Sequence, residues 1–285
     1  MNGLKKLLIA LLTILITLLA TLVHAAFISP KTIHYQNISL YSNKIDDSLE
    51  NIQILFFADL DYGEFFDQTR LDKAIHAINA ADCDLIIFGG DIFSNQVSVD
   101  DAMIETITNA LASLKAPLGK FYVTGEKDTI NGSEDIVHSI MHNAQFECIN
   151  DTVLPIRNGD VPSIQLVGIS NIITSSPNIN ELYNQLNPND FTLAICHTPD
   201  IAPNLPSGID RMIAADSHGG QIYIPLLGGL YETTGCQNYQ HGTIELTNFK
   251  MDINSGLGTT IIDARLNAPP TITIYTLRSG IDNTN

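Results

Sequence analysis

The chain has no tryptophan, few basic side chains and no closely spaced pair of cysteines. Across its 285 residues, 14 Lys and Arg stand against 31 Asp and Glu, a formal net charge of −17. A field of that sign repels nucleic acid and anionic lipid surfaces unless metal ions intervene, although plain solubility accounts for it equally well. Cys83, Cys148, Cys196 and Cys236 are far apart and form no Cys-x-x-Cys spacing, which argues against a zinc knuckle. In an oxidising compartment one or two disulfides remain open, while Cys83 and Cys196 sit beside apolar strand patterns and read as buried thiols. No repeat or low-complexity linker interrupts residues 51–280, which therefore read as one domain.

Long apolar runs are absent from the body of the chain but not from its start. Lys5 and Lys6 precede an uncharged stretch from Leu7 to Val23, and they are the only Lys, Arg, Asp or Glu before Phe27. A soluble fold has no surface that could hide all of it, so the run enters a bilayer or is removed. Residues 1–26 are thus expected to be a signal anchor or a signal peptide. Val23-His24-Ala25 satisfies the small-residue rule for cleavage after Ala25. Either way the two lysines stay cytoplasmic and the body lies outside, anchored by a single span or secreted.

Residues 27–50 are polar and turn-rich, with a weak strand pattern over Thr32–Leu40, and read as a stalk and edge strand. From Asn51 short apolar runs alternate with helical periodicity. Ile52–Phe57, Leu85–Phe88 and Phe121–Thr124 read as strands. Leu71, Ala74, Ile75, Ile78 and Ala81 recur at helical spacing, as do Met103, Ile104, Ile107, Leu111 and Leu114, and a further helix is expected near 133–144. That rhythm predicts βαβ units and an α/β fold. Strands are expected at Ser163–Ile169, Phe191–Cys196, Met212–Ala215, Thr243–Leu246 and Thr271–Leu277, enough for a second sheet packed on the first. Residues 281–285 read as a tail.

Polar residues collect where these strands end, the edge at which α/β loops converge on one crevice. Asp59 and Asp61 follow the first strand, Asp91 the second, and Glu126-Lys127-Asp128 the third. His197 follows Leu193–Cys196, and Asp216-Ser217-His218 follows Met212–Ala215. Any one of these alone reads as a cap or turn residue. Five strand ends each delivering a carboxylate or imidazole point to a metal or catalytic centre. His76, His138 and His142 fall inside helical patterns and read as surface residues.

In order and spacing the segments Ala58-Asp59-Leu60-Asp61, Gly90-Asp91, Gly125-Glu126-Lys127-Asp128, His197-Thr198-Pro199 and Ala215-Asp216-Ser217-His218-Gly219-Gly220-Gln221 resemble the calcineurin-like metallophosphoesterase superfamily. The likeness runs from about Ile52 to Leu277. Gly256-Leu257-Gly258 and Arg265-Leu266-Asn267-Ala268-Pro269-Pro270 are similar to its small bacterial membrane-anchored branch. The resemblance implies a four-layer α/β/β/α sandwich and two divalent metals at the strand ends. It implies Asp59, Asp61 and His218 on one metal, Asp91 on both, and Glu126, His197 and Asp216 on the other. Lys127 stands where the family keeps a catalytic histidine facing the leaving group.

The chain departs from the family pattern at four positions: Asp61 and Asp216 replace histidines, Glu126 an asparagine and Lys127 the catalytic histidine. The first three substitutions keep a donor but change it to carboxylate oxygen, which favours Mn²⁺, Mg²⁺ or Ca²⁺ over zinc. The extra negative charge makes the site less positive, so it lowers the pKa of a bound water less. Lys127 stabilises negative charge as an ammonium but is a poor proton donor at neutral pH. Weakened or altered hydrolysis of phosphomono- or phosphodiesters is the expectation, with Asp91 and Lys127 catalytic and a lipid-linked or cell-envelope phosphate as substrate. A non-catalytic metal- or ligand-binding descendant is the alternative, and a calcium-stiffened surface domain a third. A bland reading also stands for Glu126 and Lys127, as a surface ion pair.

Overall fold

The computed structural model describes residues 3–130, 132–157 and 164–281. Ser163, expected to open a strand, and the tail beyond 281 lie outside the described residues.

In chain order the elements are α1 (Gly3–Val23), β1 (His34–Ser42), β2 (Gln53–Phe57), α2 (Gln68–Ala80), β3 (Leu85–Phe88), α3 (Asp101–Ala112) and β4 (Lys120–Tyr122). Next come α4 (Glu126–Thr129), α5 (Glu134–Asn143), β5 (Glu147–Cys148), β6 (Thr152–Ile156), β7 (Ile164–Ile169), α6 (Ile179–Asn184), β8 (Phe191–Cys196) and β9 (Arg211–Ala214). A short hairpin of β10 (Tyr223–Ile224) and β11 (Gly228–Gly229) precedes β12 (Gly242–Glu245), β13 (Lys250–Ile253) and β14 (Thr271–Ser279). One six-stranded sheet runs β1-β14-β2-β3-β4-β5 and the other β12-β13-β9-β8-β7-β6.

The two sheets face each other because their central strands are apolar on both sides. Along β2, Leu55 and Phe57 pack under the helices with Leu71, Ile107, Leu111 and Ile140. The alternate residues Ile54 and Phe56 meet Leu193, Ile195 and Ile213 from the second sheet. The opposite faces of those second-sheet strands, through Ala194, Cys196, Met212 and Ala214, pack with Leu182 and Ile201. A strand buried on both faces shows as an unbroken apolar run, which is how β2, β3 and β8 read in the sequence. Four layers result, as expected.

Capping fixes where the helices begin. Asp67 accepts from the Arg70 N–H at the start of α2, and Asp100 from the Met103 N–H at the start of α3.

Some features were not anticipated. Strand β14 does not extend the second sheet; it lies between β1 and β2 of the first, parallel to β1 and antiparallel to β2. His138 is half-buried rather than a surface residue, its ring meeting the Tyr122 hydroxyl. All four cysteines are free, and three of them, including Cys83 and Cys196, are buried.

At the N-terminus the apolar helix α1 continues through a wider turn at His24–Ile28 and a tight one at Ser29–Lys31. None of α1 is buried against the body. The first contact with the body comes at Ala25, whose carbonyl accepts from the Arg265 N–H at 2.8 Å.

Candidate metal centre

Strands β2, β3, β8 and β9 end at the same edge of the sandwich, and their final turns carry the expected residues into one buried cup. Asp59, Asp61, Asp91, His197, Asp216 and His218 are all at most 3 % exposed. The turns are tight: Asp59, Asp61, Asp91, Asp216 and His218 adopt φ between 47° and 64°. Left-handed backbone is uncommon outside glycine, and its concentration in one cup marks a place where side-chain direction governs the local conformation. Glycines make room at the closest approaches. A Cβ on Gly125 would lie 2.0 Å from Asp91 Oδ1, and one on Gly256 2.4 Å from Asp59 Oδ2.

Asp91 is aimed by Asp128. The Asp128 carboxylate accepts three backbone N–H bonds, from Asp91 at 2.8 Å and Gly125 at 2.9 Å on Oδ2, and from Ile92 at 2.9 Å on Oδ1. It thereby clamps the loop after β3 to the turn before α4. Asp91 Oδ1 in turn accepts from the Lys127 N–H at 3.0 Å.

His197 turns the Nε2 edge of its ring into the cup. Its Nδ1 lies 2.7 Å from the Gly89 carbonyl, which accepts and so places the ring proton there. The opposite atom, Nε2, lies 3.4 Å from Asp91 Oδ2 and 3.8 Å from both Asp59 Oδ1 and Asp216 Oδ1. Ligand atoms of Asp59, Asp91 and His197 lie within 4.8 Å of one another, the spacing a single cation would close. Both Asp59 oxygens and His197 Nε2 are buried without a hydrogen-bond partner. Buried polar atoms left that way are costly unless something else fills their coordination, and a divalent ion fits these donors. Asp216 is supported by the Thr233 hydroxyl at 3.2 Å and the Cys236 thiol at 3.3 Å. Burial, and then the charge of Asp216, push the Cys236 thiol far up, so it remains a donor.

Asp61, His218 and Lys127 form the other half of the cup. Lys127 Nζ lies 2.7 Å from Asp61 Oδ1 and 2.7 Å from Asp91 Oδ2, with its side chain 10 % exposed. The surface ion pair with Glu126 is not formed. His218 Nε2 lies 3.2 Å from Asp61 Oδ2, though neither atom makes a well-directed hydrogen bond. Behind the ring, the fully buried Arg265 places Nη2 3.3 Å from His218 Nδ1 and donates to the Gly258, Ala268 and His218 carbonyls. Tyr231 packs edge-on against His218, ring centroids 5.5 Å apart. Glu126 stays half-buried at the rim; burial, with Asp216 and Asp91 nearby, raises its pKa.

The electrostatics follow this division. Burial lifts Asp59 to about 6, against the pull of His218 and His197. Burial also works against ionisation of Asp91, but Lys127 and His197 outweigh it and hold the carboxyl well below the usual range. Burial disfavours charge on His197 and Lys127 too, yet the carboxylates around them, Asp91 foremost for His197 and Asp61 for Lys127, carry both upward.

No protein-family model matches the chain. The uncharacterized metallophosphoesterase YkuE of Bacillus subtilis is 24% identical over 257 residues, covering 90% of this chain and 89% of that protein. Over nearly its whole length the chain is similar in sequence to a metallophosphoesterase. A further metallophosphoesterase, from Helicobacter pylori, is 24% identical over 242 residues. That match covers 82% of this chain but only 60% of the longer protein. The crystal structure of the calcineurin-like phosphoesterase YfkN from Bacillus subtilis aligns with a TM-score of 0.43 at 16% identity, covering 73% of this chain and 82% of that one.

Within the cup the expected site residues separate into two sets and a rim. Asp59, Asp91 and His197 come together with Asp216 beside them, Asp61 and His218 gather around Lys127, and Glu126 stays apart. Sequence reasoning gave no role to Asp128, Thr233, Cys236 or Tyr231. Arg265 stood out only as part of a run before Pro269-Pro270. Asp128 carried a usable signal, being the last residue of the strand-end segment that begins at Gly125.

Proposed function

We propose that the chain is a membrane-anchored, divalent-metal-dependent hydrolase of phosphate esters. The observation that carries this reading is the buried convergence of Asp59, Asp91 and His197, with unpartnered ligand atoms facing one point. Asp59, Asp91, His197 and Asp216 would hold one cation, with Glu126 at its rim. Asp61 and His218 offer a second position that shares Asp59 and Asp91. A bound divalent ion supplies charge to a phosphoryl oxygen and acidity to water. The oxygen-rich donors favour Mn²⁺, Mg²⁺ or Ca²⁺. Lys127 brings an ammonium against developing negative charge on the leaving oxygen, Asp91 fixes the centre of the cup, and Tyr231 walls one side.

The organisation proposed along the chain is an anchor over 1–26, an edge strand within 27–50 and a catalytic domain over 51–280, on the extracytoplasmic side. Helix α1 leads the segment Gly3–Lys31, which contains an 18-residue stretch of mean hydropathy 2.6. Where that segment meets the body, exposed apolar side chains gather. Leu226, Leu227 and Leu230 of the β10–β11 hairpin are 103 %, 80 % and 67 % exposed, and Ile261 is 72 % exposed. Leu226 and Ile261 adopt φ of 72° and 63°, unfavourable for Leu and Ile, where a mere turn would use Gly or Asn. Loop and hairpin are joined, since the Gln221 amide donates to the Thr260 and Ile262 carbonyls. Arg265, at the end of the loop, holds the Ala25 carbonyl. Leu230, Ile261 and Ile262 line a cleft of about 90 Å³ with Tyr231, the residue that packs on His218. An apolar rim between the anchor and the cup supports a phosphate carried on a lipid as substrate. The rim would enter the bilayer by apolar contact, since the acidic body repels anionic headgroups.

The test is hydrolysis by the full-length protein under Mn²⁺, comparing a soluble aryl phosphodiester with a phosphomonoester lipid in neutral vesicles. Turnover abolished by Asp91→Asn, with the circular dichroism unchanged, is expected. Metal binding without turnover of either ester would leave the non-catalytic alternative standing. The lipid assignment fails if vesicle substrate is cleaved no faster than soluble substrate, or if serines at 226, 227, 230 and 261 leave the vesicle rate unchanged.

A further inference from the structure

Of the two cation positions proposed for the cup, one has its carboxylates met by a side chain of the protein itself. Lys127 is tied at both ends: its backbone N–H donates to Asp91 Oδ1, and its Nζ sits 2.7 Å from one oxygen of Asp61 and one of Asp91. An ammonium between two buried carboxylates supplies the charge compensation that a cation would otherwise provide there.

The histidine on that side is oriented differently from its counterpart. Arg265 carries only donors, so His218 Nδ1, 3.3 Å from Arg265 Nη2, is the acceptor and the ring proton belongs on Nε2. That is the atom facing Asp61, and a protonated ring nitrogen is not a metal ligand. His197 shows the reverse arrangement: its Nδ1 proton is committed to the Gly89 carbonyl, so Nε2 is the atom left to ligate once its own proton is lost. Orientation of a histidine through its remote nitrogen is how metal sites set which atom ligates. Among the described residues the metal-spaced group is accordingly Asp59, Asp91 and His197, without Asp61 or His218.

We infer that this chain binds one exchangeable divalent ion, on Asp59, Asp91, His197 and Asp216, and that the Lys127 ammonium is the resident cation of the second position. The inference rests on the proposed divalent-metal site and narrows it. A phosphoryl group entering the cup would meet one divalent ion and one ammonium.

Metal-stripped full-length protein in detergent is titrated with Mn²⁺, and bound metal per chain is read by calorimetry and elemental analysis. Electron paramagnetic resonance then separates an isolated ion, with a six-line spectrum, from an exchange-coupled pair. The wild-type protein is expected to bind one Mn²⁺ with the isolated signature. Lys127→Gln and Lys127→Ala are expected to bind two, the second on the Asp61 and Asp91 carboxylates that the ammonium leaves, with the coupled signature. Two ions in the wild type overturn the inference and leave the proposed function intact. No ion at all overturns both. Variants that still bind one ion show that the ammonium is not what fills the second position. The wild-type count and spectrum decide the matter even if neither variant folds.

Discussion

Replacing Asp128 by asparagine tests whether the site is built by backbone clamping. The carboxylate accepts from three buried N–H groups, two on Oδ2 and one on Oδ1. Asparagine has one acceptor oxygen. If that oxygen takes the place of Oδ2, the bonds from Asp91 and Gly125 survive, but the amide NH₂ is set against the Ile92 N–H, donor facing donor. The opposite orientation is worse, since it opposes two N–H groups and keeps one bond. The better orientation loses one charge-assisted bond and strands a buried donor, about 2–4 kcal/mol together. At about 2–4 °C per kcal/mol for a body of this size, the melting temperature should fall by roughly 5–15 °C. Because the same carboxylate fixes the left-handed turn at Asp91, Mn²⁺ affinity should drop at least about tenfold alongside it. Urea unfolding of the metal-free protein at pH 7 measures the first effect and calorimetric titration the second. A loss below about 1 kcal/mol with unchanged affinity would show that these N–H groups find other acceptors and that Asp128 does not hold Asp91 in place.

Two pH dependences are expected. The metal-free protein should lose stability between about pH 4 and pH 6. The folded state holds the Asp59 proton up to about 6 while the unfolded chain releases it near 3.8, so the folded state binds more protons in that window and stability falls as pH rises. Two pH units correspond to about 3 kcal/mol, of which about 2 kcal/mol falls between about pH 4.5 and 6.5; denaturant midpoints in chelator at those two values measure it, and a rising or flat profile contradicts it. Asp91, whose pKa is lowered, acts only below this window, where its contribution is lost as pH falls. Divalent-ion affinity should rise with pH, because the proton that Asp91 and its neighbours hold on His197 must leave before Nε2 can ligate. Calorimetry in two buffers of different ionisation enthalpy should reveal proton release on Mn²⁺ binding at pH 7, and none would refute the assignment of His197.

The parts of the fold that were legible in the sequence share one property: burial on both faces. Phe56 and Phe57, or Leu193 and Ile195, advertise themselves as unbroken apolar runs whatever they pair with. Strand β13 was missed because Lys250 and Asp252 break its pattern. Asp252 is buried nonetheless, its charge met by Arg211 at 2.6 Å. Strand β6 carries Pro155, which demotes a strand pattern. The partner of β14 is not written in Thr271–Leu277 at all, since local periodicity gives burial but not neighbours. In the site, strand ends revealed the carboxylates and imidazoles because short loops leave them nowhere else to go. The reach of Lys127 to Asp61, 66 residues away, depends on a flexible four-methylene side chain and was invisible. So was Arg265, whose role lies behind the His218 ring and not at a strand end.

The position of β14 also orders the chain's assembly in time. The strand nearest α1, β1, has no partner until the last residues arrive, and its pairing spans a separation of 237 residues. During synthesis the first sheet therefore stays open along β1 and β2 until nearly the whole polypeptide exists, a slow, late closure of high contact order. A chain cut short before Thr271 would lose more than an outer strand. It would release β1, and with it the nine-residue pairing that fastens the N-terminal apolar segment to the rest of the chain.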